Sequence, residues 1–120
     1  MIIFKQFSFD SAHFLPHVPP EHKCREIHGH TYTLTVYVEG PLHPVLGWVT
    51  DFTDLKNAVS PIVKMVDHKM LNNIAGLENP TCELFAVWFW DKIKPNLPEL
   101  KKIRLNETPT SGVEYDGPGA

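Results

Sequence analysis

The sequence has few cysteines and no long apolar run, and both absences narrow the class of protein. Its two cysteines, Cys24 and Cys82, are too few for the disulfide framework of a small secreted domain. No segment approaches the roughly 20 apolar residues that span a bilayer. The N-terminus also lacks the basic segment, apolar core and cleavage site of a signal peptide. We therefore expect reduced thiols, a cytoplasmic location and no membrane partner.

Positive charge is scarce as well. Eleven Lys and Arg residues against 14 Asp and Glu residues give a formal net charge of -3. Such a chain offers no broad basic surface for a phosphate backbone, so we expect no nucleic-acid partner. A length of 120 residues with 42% hydrophobic content fits one domain, residues 1–120, that can bury a core. Small-molecule chemistry is the class of function left open.

Alternation and helical spacing predict four strands and two helices. The strands are predicted at 2–13, 27–39, 100–107 and 112–115, and the helices from Asp51 to near Asp67-His68 and from Asn79-Pro80-Thr81 to about Lys94. In the second helix we expect Pro80 at the first helical position. The order β, β, α, α, β, β predicts an α+β fold, an antiparallel sheet with two helices on one face. The second helix is apolar nearly all round, which predicts burial on a second side, against another subunit.

Three histidines are predicted to share the buried face of the first two strands. His28 and His30 are two residues apart, so in a strand both rings point to the same face, and His13 continues the apolar parity of the first strand. A lone histidine is more simply a hydrogen-bonded core residue, but three on buried faces indicate a metal site. Three neutral imidazoles with an open fourth position match a catalytic zinc centre. Cys24 could close that centre as a structural fourth ligand, and this alternative stays open.

Other polar residues are candidates for acid/base chemistry or binding. Cys24 lies between two cations, which favour the thiolate form of a base or nucleophile, whereas Cys82 is expected to be a small core residue. Asp67 beside His68 is either a surface turn or a pair tuned for proton transfer. Glu107 ends the apolar face of a strand and needs a partner, which a ligand with paired N–H donors would supply.

Six short motifs, taken together, resemble one known family along nearly the whole chain. They are Ser-Ala-His13, the Cys24-x-x-x-His28-Gly-His30 stretch, Asp51-Phe52, Asp67-His68, Asn79-Pro80-Thr81-x-Glu83 and Glu107-Thr108. Their combination is similar to the 6-pyruvoyl-tetrahydropterin synthase family. The three-residue gap after Cys24, and the Leu-Pro-His-Val-Pro-x-x-His-Lys-Cys approach to it, most resemble the bacterial 6-carboxytetrahydropterin synthases of queuosine biosynthesis.

The resemblance implies a tunnelling fold, in which ββααββ subunits form trimers around a barrel and two trimers stack into a hexamer. It implies conversion of 7,8-dihydroneopterin triphosphate to 6-carboxy-5,6,7,8-tetrahydropterin, with loss of triphosphate and acetaldehyde. Two alternatives stay open: a pyruvoyl-type eliminase or side-chain aldolase of the same family, and a zinc-stabilised binding module without turnover.

The resemblance also implies a role for each candidate residue. Zinc would be held by three histidines, the proton would be removed by the thiol with an Asp-His pair as acid/base partner, and the pterin would be anchored by a carboxylate with two further residues nearby. The corresponding residues are His13, His28 and His30 for zinc, Cys24, Asp67 and His68 for catalysis, and Glu107, Thr81 and Glu83 for substrate. The Asp-His pair is expected to serve either its own subunit or a neighbour.

Overall fold

The computed structural model describes residues 1–119. Five strands and two α-helices form the framework of these residues. They are β1 (Ile2–His13), β2 (His28–Glu39), α1 (Phe52–Lys64), β3 (Lys69–Met70), α2 (Cys82–Ile93), β4 (Leu100–Thr108) and β5 (Ser111–Tyr115). The sheet order is β3-β1-β2-β4-β5, antiparallel except for the parallel pair of β3 with β1. The predicted α+β class is confirmed. Ala120, the last residue of the predicted domain, lies outside the described residues.

The core lies between the helices and one face of the sheet. Alternate residues of β2 supply fully buried side chains to it, because successive strand residues point to opposite faces. Those side chains are Tyr32, Leu34, Val36 and Val38, and they meet a stripe of α2 spaced by four residues, Phe85, Phe89 and Ile93. The predicted parity of β2 is therefore confirmed. The same parity carries His28 and His30, at the start of β2, on the face that packs against the helices.

The two helix starts differ in how well they were predicted. Asp51 caps α1 as expected, since its Oδ1 accepts from the Thr53 amide at 2.9 Å. The prediction of Pro80 at the first helical position is wrong, because Thr81 is the N-cap, with an extended backbone at ψ 156°. Its hydroxyl accepts from the Leu84 amide at 3.2 Å. Pro80 therefore precedes the cap, and its carbonyl is free to face the sheet.

The end of α1 also differs from the prediction. The helix includes Pro61 and ends at Lys64, not near Asp67-His68. The next residues turn because Val66 is buried in the core and the His68 amide donates to Asp10 O at 2.6 Å. This contact leads into β3, a strand of two residues that alternation could not predict.

The second apolar side of α2 is covered by its own chain at Trp88 and Trp90, while Leu84 near the start of the helix is 47% exposed. Trp88 lies against Gly76 and Trp90 against Tyr115, with ring centroids 5.6 Å apart in the latter pair. The expectation that another subunit covers this side is therefore wrong for both tryptophans. Among the residues that the structure describes, no helix has the length and apolarity to cross a bilayer.

Candidate active site

Three histidines meet at one end of the sheet. His13 and His28 are direct partners in the β1–β2 register, and His30 is two residues along β2. The three ring centroids are 4.6, 4.9 and 5.1 Å apart. One nitrogen from each ring lies within 4.8 Å of the other two. Strand register, set by the hydrophobic pattern, thus brings together three imidazoles from two strands.

Hydrogen bonds leave the inner nitrogens of this cluster available. His13 Nδ1 lies 2.9 Å from Pro80 O and His28 Nδ1 lies 2.8 Å from Glu26 O. A carbonyl only accepts, so we assign the hydrogen of each ring to Nδ1 and the lone pair to Nε2. His13 Nε2 and His30 Nε2 are buried and have no hydrogen-bond partner among the residues that the structure describes. Burial is also the main cause that lowers the pKa of His13 and keeps its ring neutral.

These observations fit a metal ion. Buried nitrogen lone pairs without partners are unfavourable, and a cation between the three rings would satisfy those of His13 and His30. The residues His13, His28 and His30 could therefore hold a metal ion.

Cys24 lies beside the histidines without joining their cluster. It is in a one-turn 3-10 helix, Lys23–Arg25, whose preceding residue His22 accepts from the Cys24 amide at 3.1 Å. The half-buried thiol lines a cavity of about 420 Å³ together with His28, His30 and Glu107. Among the described residues, two groups have mutually close ligand atoms, the three histidines and a second group of Asp10, Asp67 and His68, and neither contains this cysteine. The geometry therefore favours a thiol that faces the cavity over a fourth ligand.

Glu107 is the candidate substrate anchor in this cavity. Its Oε1 lies 3.5 Å from His30 Nε2, and its side chain is 28% exposed. Two other predicted substrate residues do not line the cavity of Cys24. Thr81 caps α2 and Glu83 is an exposed residue of its first turn. Their contact with a pterin stays a prediction.

Asp67 and His68 form a hydrogen-bonded pair, and His68 lines a different cleft. Asp67 Oδ1 accepts from His68 Nδ1 at 2.9 Å and from the Asp10 amide at 3.1 Å. The Asp10 amide is the largest cause of a lowered pKa at Asp67, and the charge of His68 adds to it. His68 has a left-handed backbone, with φ +59°. The cleft, of about 540 Å³, contains His30 but not Cys24, so within one chain His30 separates the thiol from the Asp67-His68 pair.

Sequence reasoning missed the groups that hold these side chains in place. The carbonyls of Glu26 and Pro80 orient two histidines, and a backbone carbonyl gives no signal in a sequence. The backbone amide of Asp10 and the side chain of Asn72 bind the segment around β3 to β1 through contacts that span 57 and 58 residues. A backbone amide gives no signal in a sequence and asparagine is common in surface turns, so neither stands out before the fold is known.

The fold and the site together define a small α+β protein with a three-histidine centre and a neighbouring thiol. The chain belongs to the 6-pyruvoyl tetrahydropterin synthase family, whose model matches residues 2–118. This confirms the family and the tunnelling fold expected from the motifs.

Relatives within the family have different names. The chain is 42% identical to a Synechocystis 6-carboxy-5,6,7,8-tetrahydropterin synthase, over 98% of the chain and 94% of that protein. It is 40% identical to a Pyrococcus furiosus dihydroneopterin monophosphate aldolase, over 95% and 96% of the two chains. The solved structure of Caenorhabditis elegans 6-pyruvoyl tetrahydropterin synthase superposes with a TM-score of 0.90 at 27% identity, over 98% and 95% of the two chains. The family is therefore clear, and the particular reaction has to be argued from the site.

Proposed function

We propose that the protein is a 6-carboxy-5,6,7,8-tetrahydropterin synthase, a lyase acting on 7,8-dihydroneopterin triphosphate in queuosine biosynthesis. The observation that carries this proposal is the cavity in which Cys24 faces two histidines and Glu107. The named Synechocystis relative supports the carboxy-forming branch, as does the Cys-x-x-x-His-Gly-His spacing. We also propose a cytoplasmic location, which the two free thiols support.

The metal in this proposal is zinc. Three neutral imidazoles with an open position are the donor set of catalytic zinc sites, and zinc would polarise the side-chain hydroxyls of the substrate as a Lewis acid. His13 and His28 would hold it through the nitrogens left free by their carbonyl contacts, and His30 through its Nε2.

Each remaining group has a role that follows from its chemistry. Glu107 would accept from the amino group and a ring N–H of the pterin, a two-point contact that fixes the ring in the cavity. Cys24, as thiolate, would remove a proton from a side-chain carbon. His68 would donate or accept a proton at Nε2, because Asp67 holds the opposite nitrogen of its ring. One water is consumed, and the products are acetaldehyde, triphosphate and the 6-carboxy pterin.

Product analysis separates this reaction from its two relatives. The protein is incubated with zinc and 7,8-dihydroneopterin triphosphate, and products are identified by mass. We expect 6-carboxytetrahydropterin and acetaldehyde in equal amounts. Triphosphate release without acetaldehyde would indicate the pyruvoyl-type eliminase, and a two-carbon aldehyde that still carries phosphate would indicate the aldolase suggested by the Pyrococcus relative. Absence of turnover in zinc-loaded protein would favour a binding module.

The Glu107→Gln variant tests the anchor. The substitution keeps the side-chain volume but turns one acceptor into a donor, so the two pterin donors cannot both be paired. We expect kcat/KM to fall by about 10–100-fold, mostly through KM, since a lost charged hydrogen bond contributes about 1.5–3 kcal/mol. Zinc content should not change. The control is Glu114→Gln, the same change on exposed β5, and an equal effect in both variants would contradict the assignment.

We further propose that the chain assembles into homohexamers as two stacked trimers, with Asp67 and His68 supplied to a neighbour's site. Two strand edges support assembly: within residues 1–119, β5 pairs only with β4, and the edge of β1 away from β2 is paired by β3 at two residues alone. Open edges of this kind favour pairing between chains, and edge-to-edge rings close into barrels. The separate clefts of Cys24 and His68 support a shared site.

Mixing two inactive variants tests the shared site. Cys24→Ala and His68→Ala subunits are combined, dissociated and reassembled, and turnover is measured. If each site takes its thiol from one chain and its Asp-His pair from the next, random mixing restores about a quarter of wild-type turnover. Subunit exchange is verified with tagged chains. Exchange without recovery would mean that the Asp-His pair serves its own subunit.

A further inference from the structure

Asn72 extends the β3–β1 ladder with its side chain. It lies in the one-turn 3-10 helix Leu71–Asn73, directly after β3. Its Oδ1 accepts from the Phe14 amide at 3.0 Å, and its Nδ2 donates to Phe14 O at 2.9 Å and to Glu78 O at 3.4 Å. The backbone pairing of β3 with β1 stops at Ala12. The side-chain amide of Asn72 therefore pairs with both the backbone N–H and the backbone C=O of Phe14. The backbone of a further β3 residue would make the same two contacts.

His13 depends on both segments that Asn72 joins. Its backbone lies between Ala12 and Phe14, the two residues held by β3 and by Asn72. The ring of His13 is oriented by the carbonyl oxygen of Pro80. Pro80 lies two residues after Glu78, whose carbonyl also accepts from Asn72. One side chain thus connects the end of β1 to the segment that carries the carbonyl partner of His13. A metal centre tolerates errors of only about 0.2 Å in its ligand distances, so both segments have to be held.

We propose that Asn72 is a positioning residue for the metal centre and acts through His13. This inference relies on the proposed metal site, and it adds a residue outside the ligand set that sets metal affinity. If the hydrogen bonds of Asn72 had a purely structural role, their loss would lower the stability of the fold and leave the zinc affinity of folded molecules unchanged.

Metal titration of three single variants tests the inference. Wild type, Asn72→Ala, Asn72→Asp and Asn73→Ala are titrated with zinc against a competing chelator, at a temperature where circular dichroism shows each to be folded. We expect Asn72→Ala to weaken zinc binding about tenfold or more, as is typical when a residue that orients a ligand is lost. Asn72→Asp should weaken it at least as much, because a carboxylate would face the carbonyls of Phe14 and Glu78. Asn73→Ala, an exposed neighbour, should match wild type.

A double-mutant cycle shows whether the effect passes through His13. In a His13→Ala background, Asn72→Ala should have no further effect on the affinity for zinc, because the ligand it positions is gone. Cobalt substitution gives a spectroscopic test: the visible absorption of the cobalt protein should change in Asn72→Ala and not in Asn73→Ala. The inference is overturned if Asn72→Ala lowers affinity equally in both backgrounds, or lowers only the thermal midpoint. Wild type that binds metal without turnover would overturn the proposed reaction and not this inference.

Discussion

Replacing Cys24 with alanine is expected to lower turnover of 7,8-dihydroneopterin triphosphate by about 10²–10⁴-fold, the usual contribution of a positioned acid/base group. Zinc content should be retained, because the mutually close ligand nitrogens belong to His13, His28 and His30. The measurement is steady-state turnover together with metal analysis of the same preparation. This pairing separates a thiol that acts on substrate from a thiol that binds metal.

Cys82→Ala is the matched control for this experiment. Burial is the main cause that raises the pKa of Cys82 to about 12, so it stays a neutral thiol, and its Sγ donates to Leu105 O at 3.5 Å. We expect turnover near the wild-type value. If Cys24→Ala loses both zinc and thermal stability, Cys24 is a fourth ligand and the centre is structural.

The second large effect is expected at His68, where activity should fall without a loss of thermal stability. A side chain at φ +59° costs about 1 kcal/mol, which glycine avoids. We therefore expect His68→Gly to keep or raise the thermal midpoint, while turnover falls by about 100-fold or more because the acid/base imidazole is absent. Thermal unfolding and turnover are measured on the same samples.

His68→Ala is the informative comparison. It removes the same imidazole but keeps a side chain in the left-handed region, so its turnover should equal that of His68→Gly and its midpoint should be lower. A His68→Gly variant less stable than His68→Ala would contradict the view that the backbone here is strained. Full activity in both variants would remove His68 from the proposed mechanism.

Most of the correct predictions came from strand parity, because successive residues of a strand point to opposite faces of the sheet. Alternation along β2 placed two histidines on the buried face, and the same rule for β1 placed His13 there. The rule works because one face of the sheet is buried, so a slip by one residue would expose the whole apolar set. The capping role of Asp51 depends on a residue only two positions away, and it was also predicted correctly.

The predictions that failed depend on residues far apart in sequence. The neighbours of Trp88 and Trp90 in α2 are Gly76 and the segment around Gly117, which no local pattern connects to the helix. Position 117 has φ +110°, and a Cβ there would lie 2.8 Å from the Trp90 ring, so this close approach needs glycine. Helical periodicity correctly indicates burial on two sides, but it does not identify which chain covers the second side.

At the site, too, the residues recognisable from local sequence were predicted, and the contacts between residues far apart in sequence were not. Residue types and spacing pointed to the three histidines and to Cys24, but not to the carbonyls of Glu26 and Pro80 that orient two of the rings. The separation of His68 from Cys24 is a property of the sheet edge, where β3 brings residues 67–70 beside β1. Tertiary pairing of this kind has no counterpart in local sequence.

The position of Cys24 outside the strands has a consequence for insertions and deletions near the site. The three histidines are tied to a paired register in which an insertion would shift a ligand, whereas Cys24 lies in a short turn joined to the rest through its carbonyl, which accepts from Leu15 N at 2.8 Å. An insertion directly after Cys24 would therefore leave the β1–β2 register intact, but loss of Glu26 would remove the carbonyl that orients the His28 ring. A loop graft designed to move the thiol around the three histidines must keep a backbone carbonyl two residues before His28.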